Sequence, residues 1–239
     1  IQHLMFSVEC PTVFDLQKKS AHLFRESLQQ HFGLSAETLL LVEMNIMATK
    51  NMLKKNASIW QLLSQMEKTE VYIPALTVIQ SYLAIHLVQK LEIGNEDLFK
   101  KITLATLLQD ITLEEDRLAR VKQLQSSDFM SLTPAEQMLI KNHPEHATKL
   151  LLTLNQVSED TRHLILRHHE TAFADGFPKR LTGAQIPPLS AIYNLAHFMA
   201  HRMITEGQTE SLIMDLKKTL QEKFLIGHFA RPALVLLKN

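Results

Sequence analysis

Histidine is the side chain through which this chain could do chemistry. Twelve occur in 239 residues, and seven lie between positions 143 and 201: His143, His146, His163, His168, His169, His197 and His201. Neutral imidazole is the commonest protein ligand for transition metals. The stretch RHHETAFADGFP, residues 167–178, sets His168 and His169 side by side with Glu170 next to them. Neighbouring residues on an α-helix point ~100° apart. The pair can therefore serve one ion only at a helix end, or else feed two adjacent metals. The bland reading stands beside this one: a single histidine in a helical protein is most often a half-exposed surface residue, and His197 reads first as a satisfied core histidine. No Cys-x-x-Cys, His-Glu-x-x-His, glycine-rich phosphate loop or Gly-x-Ser-x-Gly competes for the chemistry. Cys10 reads as a small apolar filler, and Met44, Met47 and Met52 as core.

Helices must position these residues. Apolar residues make up 46% of the chain and only 6 residues are glycine. The abundant Leu, Gln, Lys, Glu, Met and Ala favour helix, so the fold class is expected to be all-α. The periodicity predicts helices from Thr12 to about Phe32, from Ser35 onward, and from about Ala57 to Glu67. Further helices are predicted over Ile73–Leu91, with Pro74 near its start, and over Glu96–Gln109, capped by Asn95. The run LEEDRLARVKQ, residues 113–123, reads as a solvated helix. Thr133-Pro-Ala-Glu is a strong helix start, with an N-cap, proline at N1 and glutamate at N3. Pro144 is expected to start or kink a helix. Ser158 opens one reaching His169, residues 171–187 form a loop, and Pro188–Ile204 and Glu210–Phe224 are the last long helices.

Bulk properties exclude some partners. The formal net charge is zero, so no basic excess is available to neutralise a nucleic-acid backbone. No apolar run approaches the ~20 residues of a membrane helix. The single cysteine excludes an internal disulfide and fits a reducing compartment. With no signal-peptide pattern at the start, the expected location is cytoplasmic. The expected partners include neither nucleic acid nor membrane.

Four segments in series resemble the HD-GYP family, bacterial phosphodiesterases of cyclic di-GMP within the HD superfamily of metal-dependent phosphohydrolases. LATLLQDI, residues 104–111, resembles the family's helix ending in Leu-Leu-His-Asp-Ile-Gly-Lys. LTPAEQMLIKNHPEHATKLL, residues 132–151, resembles its Leu-Thr-x-x-Glu stretch with the following His-Pro. ILRHHETAFADGFPKRL, residues 165–181, matches its His-His-Glu and Gly-Tyr-Pro signature at the same spacing. IPPLSAIYNLAHF, residues 186–198, matches the helix after Ile-Pro. The resemblance runs from about Asn56 to Ile204. It implies an HD-superfamily helical bundle over residues 56–239. Residues 1–55 are then additional N-terminal helices: a linker, a dimerisation pair or the end of another domain.

Carried onto this sequence, the resemblance implies Asp110, His143, His168 and His169 as metal ligands. The departures are specific. The family's early Tyr-Thr-x-Glu-His is Tyr72-Ile-Pro-Ala-Leu here, so Ala75 and Leu76 replace a carboxylate and an imidazole. Gln109 replaces the histidine of the His-Asp pair, and a neutral amide is a poor transition-metal ligand. Thr112-Leu113 replaces Gly-Lys, Phe177 replaces the signature tyrosine, and His197 replaces the last metal-binding aspartate. What survives resembles one half of a two-metal centre, with His197 as a possible fifth ligand. The implied cofactor is one transition metal ion (Fe, Mn or Zn), or none. Phe177, Lys179 and Arg180 are the implied ligand-binding residues, with cyclic di-GMP as the ligand and the two cations meeting phosphates. The implied role is regulatory or binding, with catalysis weak or lost. The alternative is an active phosphohydrolase on a rearranged site that recruits His197. A protein partner, or a homodimer through the N-terminal helices, completes the expectations.

Overall fold

A computed structural model describes residues 10–31, 33–66 and 71–238. Twelve α-helices lie among them: α1 Cys10–Gln30, α2 Ala36–Lys55, α3 Ile59–Ser64, α4 Tyr72–Lys90, α5 Glu96–Leu108, α6 Asp116–Ala119, α7 Ser127–Met130, α8 Pro134–Leu150, α9 Glu159–Arg167, α10 Pro188–Glu206, α11 Glu210–Lys223 and α12 Ala230–Leu237. The extended structure among the described residues is one isolated antiparallel bridge, Phe173 to Thr182. The all-α expectation holds. No helix in the described residues is long and apolar enough to cross a membrane. The expected end of α3 at Glu67 and the side chain of Cys10 lie outside the described residues.

The centre of the fold is α4. From Tyr72 to Val88 every residue is buried, and the sequence explains it: YIPALTVIQSYLAIHLVQ carries no charge before Lys90. A helix apolar on all sides can only be a core helix. Around it pack α1, α2, α5, α10 and α12. Pro74 sits in its first turn, where the backbone N–H has no intrahelical partner to lose. The N–H groups of Tyr72 and Ile73, likewise without intrahelical partners, donate to the Asp116 carboxylate, at 2.5 and 3.3 Å. Helix α4 is thus capped from α6, 44 residues away in sequence.

The N-terminal helices share this core. Val13, Phe14, Phe24, Leu28, Val42, Ile46 and Met52 belong to the same buried cluster as α4 and α10. Two polar ties reinforce the join. Tyr82 Oη donates to Gln17 Oε1 at 2.7 Å, and Gln17 Nε2 donates to Thr49 Oγ1 at 3.1 Å. Arg25 of α1 donates to the backbone oxygens of Asp110 (2.9 Å) and Leu113, fixing the turn after α5.

Two sequence expectations are corrected, and one helix is added. The run at 113–123 is not a solvated helix: only Asp116–Ala119 is helical, and Leu118, Ala119 and Val121 are buried. Its charged residues mask an inward apolar face too short to show a period. Pro144 does not start a helix but lies inside α8. Helix α12, unforeseen, packs its Leu236 carbonyl under the Trp60 indole N–H at 3.1 Å. The Thr133 capping box is present as expected, with Thr133 N donating to Glu136 Oε2 at 2.8 Å.

Candidate metal centre

Three helices bring the candidate ligands together. Asp110 follows the C-terminus of α5, His143 lies within α8, and His168 and His169 follow the end of α9. Because α9 stops at Arg167, the adjacent histidines escape helical divergence, and their rings lie 4.0 Å apart at 45°. One donor atom from each of Asp110, His143, His168 and His169 falls within 4.8 Å of all the others. His143 Nε2 is 3.1 Å from His168 Nε2, 3.2 Å from His169 Nε2 and 3.4 Å from Asp110 Oδ1. The sequence expectation that these four side chains meet is met by the geometry.

Backbone carbonyls orient the imidazoles. In a regular helix the Ile140 carbonyl would accept the N–H of residue 144. That residue is proline and has no N–H, so the His143 Nδ1–H donates to Ile140 O instead, at 2.6 Å. Where α9 ends, His168 Nδ1–H likewise donates to Ile165 O at 2.6 Å. With Nδ1 engaged by a carbonyl, each ring turns its Nε2 toward the other, 3.1 Å away. Carbonyl bonds of this kind set the tautomer of metal-binding histidines.

The residues present fit a metal ion. The Nε2 atoms of His143 and His168, 3.1 Å apart, are placed to share one cation. Both Asp110 carboxylate oxygens are buried without a hydrogen-bond partner, a costly state that a bound cation relieves. For ligands about 2.1 Å from one ion, neighbouring donor atoms lie roughly 3.0–3.4 Å apart, and the three shortest separations here fall in or close to that range. Imidazole with carboxylate suits Zn, Fe or Mn.

The electrostatics favour binding. Burial, with the neighbouring His168, pushes the His143 pKa down to about 3. Burial also lowers His169 and His197 well below their ordinary value, so these rings are neutral donors at pH 7. Burial alone would raise the Asp110 pKa. Lys122 first, then His168 and His143, overrule it and hold the carboxyl well below the usual range.

His197 stands beside the four rather than among them. Its ring centroid is 5.3 Å from that of His168 and 5.4 Å from that of His169. Its Nδ1 lies 3.1 Å from Gln80 Oε1, and its Nε2 is buried with no partner. Gln109 is wholly engaged: Nε2 donates to Gln80 Oε1 at 2.9 Å, and Oε1 accepts from Tyr193 Oη at 2.7 Å. A side chain held this way by α4 and α10 is a structural link, not a free ligand. Ala75 and Leu76 are buried in the apolar core.

The Gly-Phe-Pro loop closes the centre. Phe177 stacks on His169 at 4.2 Å and 15°, and meets the edge of His143 at 6.0 Å. It also packs with Leu118, Val121, Phe129 and Ile140 in a second, smaller apolar cluster. The Phe177–Pro178 peptide is cis. Lys179 and Arg180 are exposed, unlike the metal-ligand candidates, each of which is at most 5% exposed. Three contributors escape sequence reading. Glu170 accepts from the backbone N–H groups of Lys179 (2.6 Å) and Leu181 (2.8 Å), bracing the loop. Asn194 donates to the carbonyls of Arg167 and Glu170 at 2.7 Å each, fixing the turn that carries both histidines. Lys122 buries its ammonium nitrogen near the centre. The acid of His-His-Glu was a visible signal for the first; nothing local marks the other two.

Residues 41–211 match the family described as "HD domain". No curated protein matches the chain. Among solved structures, Bd1817, a HDG"Y"P protein from Bdellovibrio bacteriovorus, is similar at a TM-score of 0.72 and 22% identity. The match covers 97% of this chain and 72% of that one. With the family's residues 41–211 spanning Asp110 and every histidine of the buried cluster, this chain belongs to the HD-domain family.

Proposed function

We propose that this HD-domain protein holds one transition metal ion on Asp110, His143, His168 and His169, and uses it to bind cyclic di-GMP in a regulatory role with little or no hydrolysis. The observation that carries the reading is the asymmetry around Asp110. On one side stand three imidazoles with their donors aimed inward. The positions the resemblance assigns to a second metal hold Ala75 and Leu76, both in the apolar core, and Gln109, spent on hydrogen bonds.

When bound, the ion supplies Lewis-acid charge toward a phosphoryl oxygen. The chain's own residues do the rest. Ile140 O and Ile165 O keep the Nδ1 protons of His143 and His168 in place, so the site needs no reorganisation to accept a cation. The Asp110 carboxylate offsets part of the ion's charge. Phe177, Leu118, Val121 and Phe129 exclude water, and a ligand must displace this apolar cover to reach the ion. The phosphodiester leaving group is left without a second metal, which is the physical reason hydrolysis is slow.

Elemental analysis of protein expressed in metal-supplemented medium is expected to find one ion per chain, lost in Asp110→Asn. Calorimetry is expected to show cyclic di-GMP binding without turnover. Rapid hydrolysis would overturn the reading in favour of a phosphohydrolase that recruits His197. That second reading has its own support in the partnerless, buried Nε2 of His197. His197→Ala would then abolish activity, whereas under the binding reading it leaves ligand affinity within a few-fold.

A further inference from the structure

Asp110 differs from His143 and His168 in what holds its side chain. Each of those imidazoles is fixed by a bond from Nδ1 to a carbonyl. Both carboxylate oxygens of Asp110 are buried without a hydrogen-bond partner, so the direction of this side chain is set by its backbone. That backbone is a turn rather than helix. Helix α5 ends at Leu108, and Leu113 N donates back to Asp110 O at 3.0 Å.

The turn is clamped from outside its own segment. Arg25, on α1, donates from Nη1 to Asp110 O at 2.9 Å and from Nη2 to Leu113 O. The two carbonyls bracket the turn, and one planar guanidinium, with its donors in a fixed fork, spans both. Arg25 is only 8% exposed, so water does not readily replace it if the side chain is removed. Burial lowers its pKa, and Asp110, Asp116 and Glu114 oppose that shift. The clamp is therefore a charged donor, and such hydrogen bonds are the stronger kind.

Helix α1 can carry this clamp because it is itself held rigidly. Phe24 and Leu28, on either side of Arg25 along the chain, are buried in the main core. Phe14 meets the ring of Tyr82 on α4 at 5.1 Å. Yet α1 ends at Gln30, and the match to the HD-domain family begins at residue 41. The clamp comes from a helix that lies wholly outside the matched residues.

We infer that Arg25 is a positioning residue of the metal centre: through the Asp110–Leu113 turn, α1 holds the aspartate in register with His143, His168 and His169. An ion takes a carboxylate oxygen at about 2.0–2.2 Å, so a turn that relaxes by about an ångström withdraws the ligand. The inference rests on the proposed metal reading for its effect on the ion, but not for the clamp itself.

The test uses the full chain, with cobalt(II) as the probe because its visible spectrum reports the ligand set. Arg25→Met is expected to weaken cobalt binding at least tenfold, within the ~10–100-fold loss typical when a partner behind a metal ligand is removed, and to change the spectrum. Arg25→Lys keeps the charge but not the fork, and should recover part of the affinity. Phe24→Leu is the control for stability. It loosens the packing of α1 without touching the turn, and should leave affinity and spectrum as in the wild type. Wild-type affinity and spectrum in Arg25→Met overturn the inference, whatever the stability of that variant. An equal loss of affinity in Phe24→Leu also overturns it, since α1 then acts only by holding the fold together. If Arg25→Met does not fold, Arg25→Lys decides: weaker binding with an altered spectrum upholds the clamp, and an unchanged affinity and spectrum refute it. Hydrogen exchange of the metal-free proteins keeps the two readings apart. The Leu113 amide should exchange faster in Arg25→Met and not in Phe24→Leu. A wild type that binds no cobalt refutes the metal proposal. Faster Leu113 exchange in Arg25→Met then still upholds the clamp, and unchanged exchange refutes it. Cobalt bound equally by the wild type and Arg25→Met refutes this inference alone.

Discussion

Acid should unfold the metal-free protein well above the range of its carboxylates, and histidine burial sets the reason. His86, His143 and His201 have pKa values pushed down to about 4, about 3 and about 3, each chiefly by burial. In the unfolded chain each returns to about 6.5. Between these values the unfolded state binds protons that the folded state refuses, so stability falls as pH falls. The stabilising contribution is intact above pH 6.5 and is lost progressively toward pH 3–4. From pH 7 to pH 5 the loss is about 2 kcal/mol for each histidine, or roughly 6 kcal/mol for the three. That is a large share of the ~5–15 kcal/mol that holds a typical domain together. His169 and His197 shift the same way and steepen the loss. His86 isolates the effect, because it lies on α4 in a separate, partly polar pocket with Lys90 and Asn56, away from the candidate ligands. Urea unfolding of chelator-treated protein, followed by circular dichroism at pH 7, 6 and 5, is the assay. The wild type should lose about 6 kcal/mol or more over that interval, and His86→Leu about 2 kcal/mol less. Equal pH slopes in the two proteins, or a wild type indifferent to pH across this window, would refute the assignment of neutral buried imidazoles.

Two further outcomes follow from the loop that carries the histidine pair. A Cβ on Gly176 would lie 2.3 Å from His169 O and 2.7 Å from Glu170 Cα. Gly176→Ala should therefore destabilise the fold on the order of 3 kcal/mol and reduce metal content, read by denaturation and elemental analysis. Glu170→Ala strands the Lys179 and Leu181 N–H groups. It should cost about 3 kcal/mol and raise amide exchange at those two positions, which hydrogen-exchange mass spectrometry resolves.

Much of the candidate site was legible because its residues are tied to short-range signals. The adjacent pair His168-His169 could serve one ion only at a helix end, and α9 ends one residue before it. His143 beside Pro144 and Asp110 after a leucine-rich helix were readable as motifs in order. The capping box at Thr133 and the caps at Asn95 and Ser158 were equally local, and all three hold. Lys122 was not legible. In LEEDRLARVKQ it is one more charge in a charged run, and a single turn of helix carries no period to reveal which residues face in.

Sequence alone determined the helical class and the caps, since propensity and capping belong to individual residues and their near neighbours, and its resemblance to a family singled out the four candidate donors. Tertiary structure decided which atoms meet. Only the packing of α5, α8 and α9 sets three imidazoles and a carboxylate within 4.8 Å. Only the contact of α4 with α10 turns Gln109 into a hydrogen-bonded strut. Only the folding of residues 116–130 onto Phe177 drives an ammonium out of water beside Asp110. Burial and donor geometry are properties of several helices at once, and no short stretch of chain encodes them.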